Sequence, residues 1–167
     1  MALHAPGAHN VVQCVKFTLP QTTVSVPAYG NSSGQYRQWG SVTVNITPKF
    51  ANSHIRIIQH CTTHNVSSHG YLSWKRGGTG GTLLHTEANS ASDGLYCNHG
   101  TDNADYESSV VVWEDGNASY SLGNTLTYVP YVGMWSATTL YFGSYSSNGN
   151  AETRQGFHGY LEEIAYA

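Results

Sequence analysis

Residues 41–60 read SVTVNITPKFANSHIRIIQH, and this stretch decides the fold class. Apolar side chains alternate with polar ones over residues 42–46, which is the period-two pattern of a strand with one buried face. Pro48 has no amide hydrogen and cannot extend a central ladder, so the first strand is predicted to end before it. The alternation resumes at Ile55. The stretch therefore predicts two strands, joined either as a hairpin or as a close crossing between two sheets.

Similar runs recur on both sides of this stretch. Gly- and Asn-rich segments such as RGGTGG and EDGNAS separate them, and no segment shows a convincing helical period. Short strands separated by turn segments of this kind indicate an all-β sandwich or barrel. The further strands are predicted at residues 11–19, 22–26, 70–75, 82–86, 108–113, 125–132, 138–144 and 159–165.

The composition limits the classes of partner. A chain of 167 residues is one domain by size. A net charge of -3 and the absence of a basic cluster argue against nucleic-acid binding. No apolar run reaches the length of a membrane span, so no membrane partner is expected. The first ten residues, MALHAPGAHN, have neither the basic nor the apolar region of a signal peptide, so synthesis in a cytoplasm is expected.

The cysteines do not form a metal-binding or disulfide framework. Cys14, Cys61 and Cys97 are far apart in sequence, and their number is odd. Cys14 and Cys61 lie in strand-like runs, where a free cysteine usually behaves as a small buried apolar side chain. Both are therefore expected to be buried.

Nine histidines raise the question of a metal site. His60, His64 and His69 are close in sequence, and His99 lies near two aspartates. Zinc sites on strands use His-X-His spacing, which places both rings on one face, and no such pair exists here. Solvated or hydrogen-bonded histidines are the favoured interpretation, and no metal or other cofactor is expected.

No catalytic constellation emerges from the remaining polar residues. Asp102, Asp105 and Glu107 form the one compact acidic cluster, which fits a polar loop better than a pair of catalytic carboxylates. The glycines of RGGTGG lack the lysine and the following helix of a phosphate loop. The chain is therefore predicted not to be an enzyme.

Several motifs resemble small tail-fibre and capsid-associated proteins of marine and cyanobacterial phages. The resemblance runs through VVQCVKF, VTVNITPKFANSHIRI, YLSWKRGGT, TLYFGSYSSNGN and GYLEEIAYA, in this order along the chain. It implies a jelly-roll-like antiparallel β-sandwich, similar to the tumour necrosis factor arrangement, that assembles as a homotrimer. The expected organisation is an extended N-terminal arm at residues 1–10 and a single β-sandwich domain at residues 11–167.

The resemblance further implies a virion structural protein, with a capsid decoration (cement) protein as the first hypothesis. Its partners would be two further copies of itself and the major capsid protein or another virion protein. The arm is the expected tether to the shell, and a frayed terminus is the alternative. Its expected contact residues are Leu3, His4, Pro6 and His9.

The alternative hypothesis is a receptor-binding tail fibre or tail tip that contacts host surface glycans. Aromatic faces suit sugar rings, so aromatic residues in loops are the candidates for such contacts. The opposing interpretation is that these aromatics pack inside a trimer. The candidate residues are Tyr29, Trp39, Tyr96 and Trp135.

Overall fold

The computed structural model of the chain describes residues 9–20, 22–26, 36–64, 70–84, 95–98, 106–116, 118–134, 138–142 and 157–166. In this part of the chain every regular element is a strand, and no helix is long and apolar enough to cross a membrane. The strands are β1 (His9–Leu19), β2 (Thr22–Val26), β3 (Arg37–Gln38), β4 (Val44–Ile46), β5 (His54–His64), β6 (Gly70–Arg76), β7 (Thr82–Leu83), β8 (Leu95–Asn98), β9 (Tyr106–Asp115), β10 (Leu126–Met134), β11 (Thr138–Phe142) and β12 (Phe157–Tyr166).

The strands form two antiparallel sheets. Sheet A has the order β1-β12-β5-β9, and β11 pairs with the far end of β5 and carries β2 on its other side. Sheet B has the order β4-β10-β6-β8, with β3 added beside β10 and β7 beside β6. Each sheet draws strands from both halves of the chain, as the two sheets of a jelly roll do. The predicted jelly-roll-like β-sandwich is confirmed.

The opening stretch crosses from one sheet to the other. β4 pairs with β10 in sheet B, whereas β5 lies between β12 and β9 in sheet A. A sheet-to-sheet crossing is therefore correct, and a hairpin is not. The buried carboxylate of Glu163 fixes the crossing loop by accepting hydrogen bonds from the backbone N–H groups of Lys49 and Phe50, at 2.9 Å each.

Large aromatic side chains fill the space between the sheets. Trp74 of β6 is fully buried, and its ring meets those of Phe17 and Trp113 in edge-to-face contacts with centroid distances of 5.2 and 6.5 Å. Such contacts add stability beyond the area they bury. Gly159 is required beside this cluster, because a Cβ placed there would lie 2.3 Å from a ring carbon of Phe17.

A buried polar triad joins the two sheets at one end of the core. The carboxylate of Asp115 in β9 accepts hydrogen bonds from the Arg76 guanidinium at 2.5 Å and from the Tyr128 hydroxyl at 2.9 Å. Asp115 is only 5% exposed and Tyr128 is completely buried. Because a buried carboxylate is costly unless paired and hydrogen-bonded, the three side chains depend on one another.

Because of this triad, we expect the folded protein to lose stability at alkaline pH. Burial and the neighbouring Asp115 carboxylate raise the pKa of Tyr128 well above its ordinary value. The contribution of the Tyr128 hydroxyl to the free energy of unfolding is fully present at pH values below the pKa of tyrosine in the unfolded chain, which is about 10. It is lost as the pH rises above that value, because the hydroxyl then ionises only in the unfolded chain. We expect this loss to approach about 1.4 kcal/mol per pH unit for one proton.

Urea unfolding of the wild type and of Tyr128→Phe between about pH 9 and pH 11 measures this effect. The variant should show a shallower decline with pH. Burial also raises the pKa of Tyr131, so some decline remains in the variant. Equal pH slopes for the two proteins would show that Tyr128 does not ionise preferentially in the unfolded chain.

Two sequence-based expectations need correction in β1. The strand begins at His9, so His9 and Asn10 pair with Tyr166 and Ala165 of β12 and are not part of an arm. Cys14 is exposed on the outer side of sheet A and not buried. The residues of β1 near it that face the core are odd-numbered, so the even-numbered Cys14 faces outward. Partial burial and the carboxylate of Glu162 raise the pKa of its thiol.

Candidate assembly interface

The outer surface of sheet A is the candidate functional site, and we call it the sheet A face. In β5, Ile55, Ile57 and Gln59 point into the core, so the residues between them point outward. The register then aligns outward side chains from all four main strands in rows. One row contains Val112, Ile58, Tyr160 and Lys16, from β9, β5, β12 and β1, respectively.

Apolar side chains dominate the β9 side of the sheet A face. Val110 is 63% exposed and Val112 is 50% exposed, and both are β-branched residues in the middle of a long strand. Ile58 lies opposite Val112 and is itself partly exposed. A contiguous exposed apolar surface of this kind marks an interaction site more often than scattered single residues do.

A charged row borders the apolar residues. Arg56 lies between Glu114 and Glu162 in the register, and its Nε donates a hydrogen bond to the Glu162 carboxylate at 2.9 Å. On the β9 side, Nδ1 of His54 lies 2.5 Å from a carboxylate oxygen of Glu114. Because these pairs are partly exposed to solvent, we expect them to contribute more to the specificity of a contact than to its binding free energy.

Histidines lie on the other side of the apolar residues. The rings of His60 and His158 stack with a centroid distance of 5.5 Å, and the His158 ring meets the edge of Tyr160 at 6.3 Å. Within the described ranges, no group of three or more His, Cys, Asp or Glu residues is placed to hold a metal ion. The sheet A face is thus an aromatic and aliphatic surface with a charged border.

Most of the predicted contact residues are not covered by the structure. Leu3, His4, Pro6, Tyr29 and Trp135 lie outside the described residues. Of the other predicted positions, His9 is the first residue of β1, and Tyr96 of β8 pairs with Tyr71 of β6. These two residues therefore lie in different sheets, since β1 belongs to sheet A and β8 to sheet B.

Trp39 was predicted as a surface aromatic, and this prediction is wrong. Its side chain is 0% exposed and belongs to the main hydrophobic core. The indole N–H donates a hydrogen bond to the carbonyl oxygen of Pro20 at 3.1 Å, and the backbone N–H donates to that of Pro130 at 2.9 Å. A ring held in this way has no free face for a sugar.

The sequence contained one signal for the sheet A face that motif reasoning missed. Residues 110–112 are three consecutive valines inside a predicted strand. Because side chains alternate between the two faces of a strand, such a run must place apolar residues outside the core. Here Val111 is buried, while Val110 and Val112 face outward.

No protein-family model matches the chain, and no curated protein sequence matches it. Among solved structures, it is similar to infectious bursal disease virus of the Gt strain, with 12% identity, a TM-score of 0.40, and coverage of 92% of this chain and 38% of that one. For the structure of the Gx strain, the identity is 14%, the TM-score is 0.38, and the coverage is 92% of this chain and 32% of that one. For the crystal structure of the VP2 subviral particle of that virus, the identity is 14%, the TM-score is 0.29, and the coverage is 93% of this chain and 38% of that one. The chain thus spans between 32% and 38% of the length of these proteins.

Proposed function

We propose that this chain is a structural subunit of a phage virion, a homotrimeric decoration protein that binds the outer shell and bridges neighbouring capsid subunits. The motif resemblance supports the virion context. The jelly-roll topology supports it as well, because such a sandwich offers a broad sheet face and separate loop ends for different contacts. In this proposal the chain has a binding role and is not an enzyme.

The observation that carries the proposal is the sheet A face. Its apolar centre, with Val110 and Val112 half exposed or more, loses contact with water if another protein surface covers it. Its border carries both signs of charge, in Arg56 and in Glu114 and Glu162. In a three-fold ring, this face meets a different surface of the next copy, and the ring closes without leaving the face exposed.

The proposed mechanism is thermodynamic. A protein that binds only the assembled shell stabilises that shell by mass action, by about 2.7 kcal/mol when its free concentration is 100 times its dissociation constant. A trimer presents three copies of each shell contact. Individually weak contacts then combine into tight attachment, provided that all three sites are reached at once.

Cryo-electron microscopy of intact virions tests the proposal. The expected result is density for the trimer repeated over the shell at three-fold positions. Density confined to the tail would contradict the decoration role and would favour the alternative, a receptor-binding tail fibre or tail tip. Particles without this protein would contradict both hypotheses.

A further inference from the structure

We propose that two stacked histidines on the sheet A face, His60 and His158, make self-association of this protein depend on pH, with trimers at neutral pH and single chains at about pH 5. This inference rests on the proposed function, in which another copy of the chain covers the sheet A face. It adds to that contact a regulation by protons.

The two histidines lie side by side on the outer surface of sheet A. Gly159 of β12 pairs with Gln59 of β5, so the residues next to them, His158 and His60, are neighbours across the two strands. Gln59 is buried, and alternation along the strand therefore places the imidazoles on the outer surface. The two rings are stacked, with a centroid distance of 5.5 Å and an angle of 24° between their planes.

Apolar and aromatic side chains surround the histidine pair. His60 pairs with Val110 of β9, which is 63% exposed, and Ile58 is the preceding outward residue of β5. The ring of Tyr160 meets that of His158 in an edge-to-face contact at 6.3 Å. A protein surface that covers the apolar centre of the sheet A face therefore also covers the pair.

The charged and titratable residues around the pair come from all four main strands. On β1, Lys16 occupies the outward row next to the pair, and its ammonium repels a protonated imidazole. The carboxylates of Glu114 on β9 and Glu162 on β12 stand two rows away, each beside a basic residue of β5. In the other direction, His64 of β5 and Tyr106 of β9 pair two rows away.

Protonation of the pair opposes association for two reasons. Two imidazolium rings stacked at 5.5 Å repel each other. A surface laid over the apolar neighbours also removes water from any charge among them, which is costly. The covered face therefore favours neutral imidazoles, whereas on a separate chain His158 is exposed and His60 partly exposed to water.

The sign of the pH dependence follows from proton linkage. The trimer binds fewer protons than three separate chains, so its stability is fully present above about pH 6.5, where histidine ordinarily titrates, and is lost as the pH falls below that value. At about pH 5, one proton per copy that must leave on assembly lowers the association constant by about 30-fold for each copy. The subunit concentration for half-assembly of a trimer then rises by about 100-fold.

Light scattering after size-exclusion chromatography at about pH 7.5 and about pH 5 tests this inference, with subunits at about ten times the half-assembly concentration of pH 7.5. The wild type should show the mass of three chains at the higher pH and of one chain at the lower. The double variant His60→Gln/His158→Gln should keep the mass of three chains at both. His54→Gln is the matched control, since this imidazole lies on the same face beside Glu114, and it should behave as the wild type does.

The outcomes separate this inference from the proposed function. A wild type that stays trimeric at the lower pH, or a double variant that dissociates as the wild type does, overturns the inference and leaves the trimer standing. Loss of the strand signal in circular dichroism at that pH would trace the lower mass to unfolding, and would also overturn it. A wild type that is a single chain at both pH values contradicts the proposed trimer, and this inference fails with it.

Discussion

Asp115→Ala is expected to lower the free energy of unfolding by about 3–5 kcal/mol, which is a large part of the stability of a typical domain. The substitution leaves the partly buried Arg76 guanidinium without its carboxylate and the buried Tyr128 hydroxyl without its acceptor. The Tyr128 hydroxyl is completely buried and does not regain water when its acceptor is deleted, and the Arg76 guanidinium regains it only in part. Because the triad joins β9 to β6 and β10, the loss affects the packing of one sheet on the other.

Denaturant unfolding at one fixed protein concentration measures this loss. Glu114→Ala is the matched control, since Glu114 is the preceding residue and is exposed on the opposite face of β9. The control should change stability by less than about 1 kcal/mol. Similar effects of the two substitutions would mean that the triad contributes no more than a surface ion pair.

Val112→Asp is expected to convert the proposed trimer into a monomer, with the mass falling from three times 18.1 kDa to 18.1 kDa. Val112 is at the centre of the apolar part of the sheet A face, next to Ile58. A carboxylate placed there would have to lose its water in the interface, which costs several kcal/mol per copy. The fold itself should persist, because the Val112 side chain is half exposed in the single chain.

Light scattering after size-exclusion chromatography distinguishes these states. Thr82→Asp is the matched control, because Thr82 is an exposed strand residue of sheet B, away from the sheet A face. The control should keep the wild-type mass. A trimeric Val112→Asp variant would exclude the sheet A face as the contact between copies, and a monomeric wild type would exclude the trimer.

Local alternation explains which parts of the fold the sequence predicted. β2 was predicted with its observed bounds, and β5 was recognised because the alternation of apolar and polar residues resumes at Ile55. The last strand was predicted from its shortness and its place after a Gly- and Asn-rich segment. β3 has only two residues and β8 only four, which is too short for a period to emerge. β3 also lies close to Gly40 and a Ser- and Asn-rich segment, which pointed to a loop.

Contacts distant in sequence explain what was missed. Trp39 is buried where Pro20, which follows β1, and Pro130 of β10 accept its hydrogen bonds, and nothing near it in sequence indicates this. Arg76 and Asp115 are 39 positions apart, and Lys49 and Glu163 are 114 apart. The exposed position of Cys14 could have been predicted from the sequence. Phe17 and Leu19 are core residues at odd-numbered positions of the same strand, so alternation places the even-numbered Cys14 on the outer face.

The pairing of β1 with β12 also has a consequence for the timing of assembly during synthesis. β1 precedes every other described strand along the chain, yet its partner in sheet A is the last strand described. Non-local pairing of this kind is slow and must wait for the distant segment. The sheet A face includes residues of both strands, so it does not exist on an incomplete chain. A nascent chain that still lacks β12 therefore cannot present the complete sheet A face to another protein.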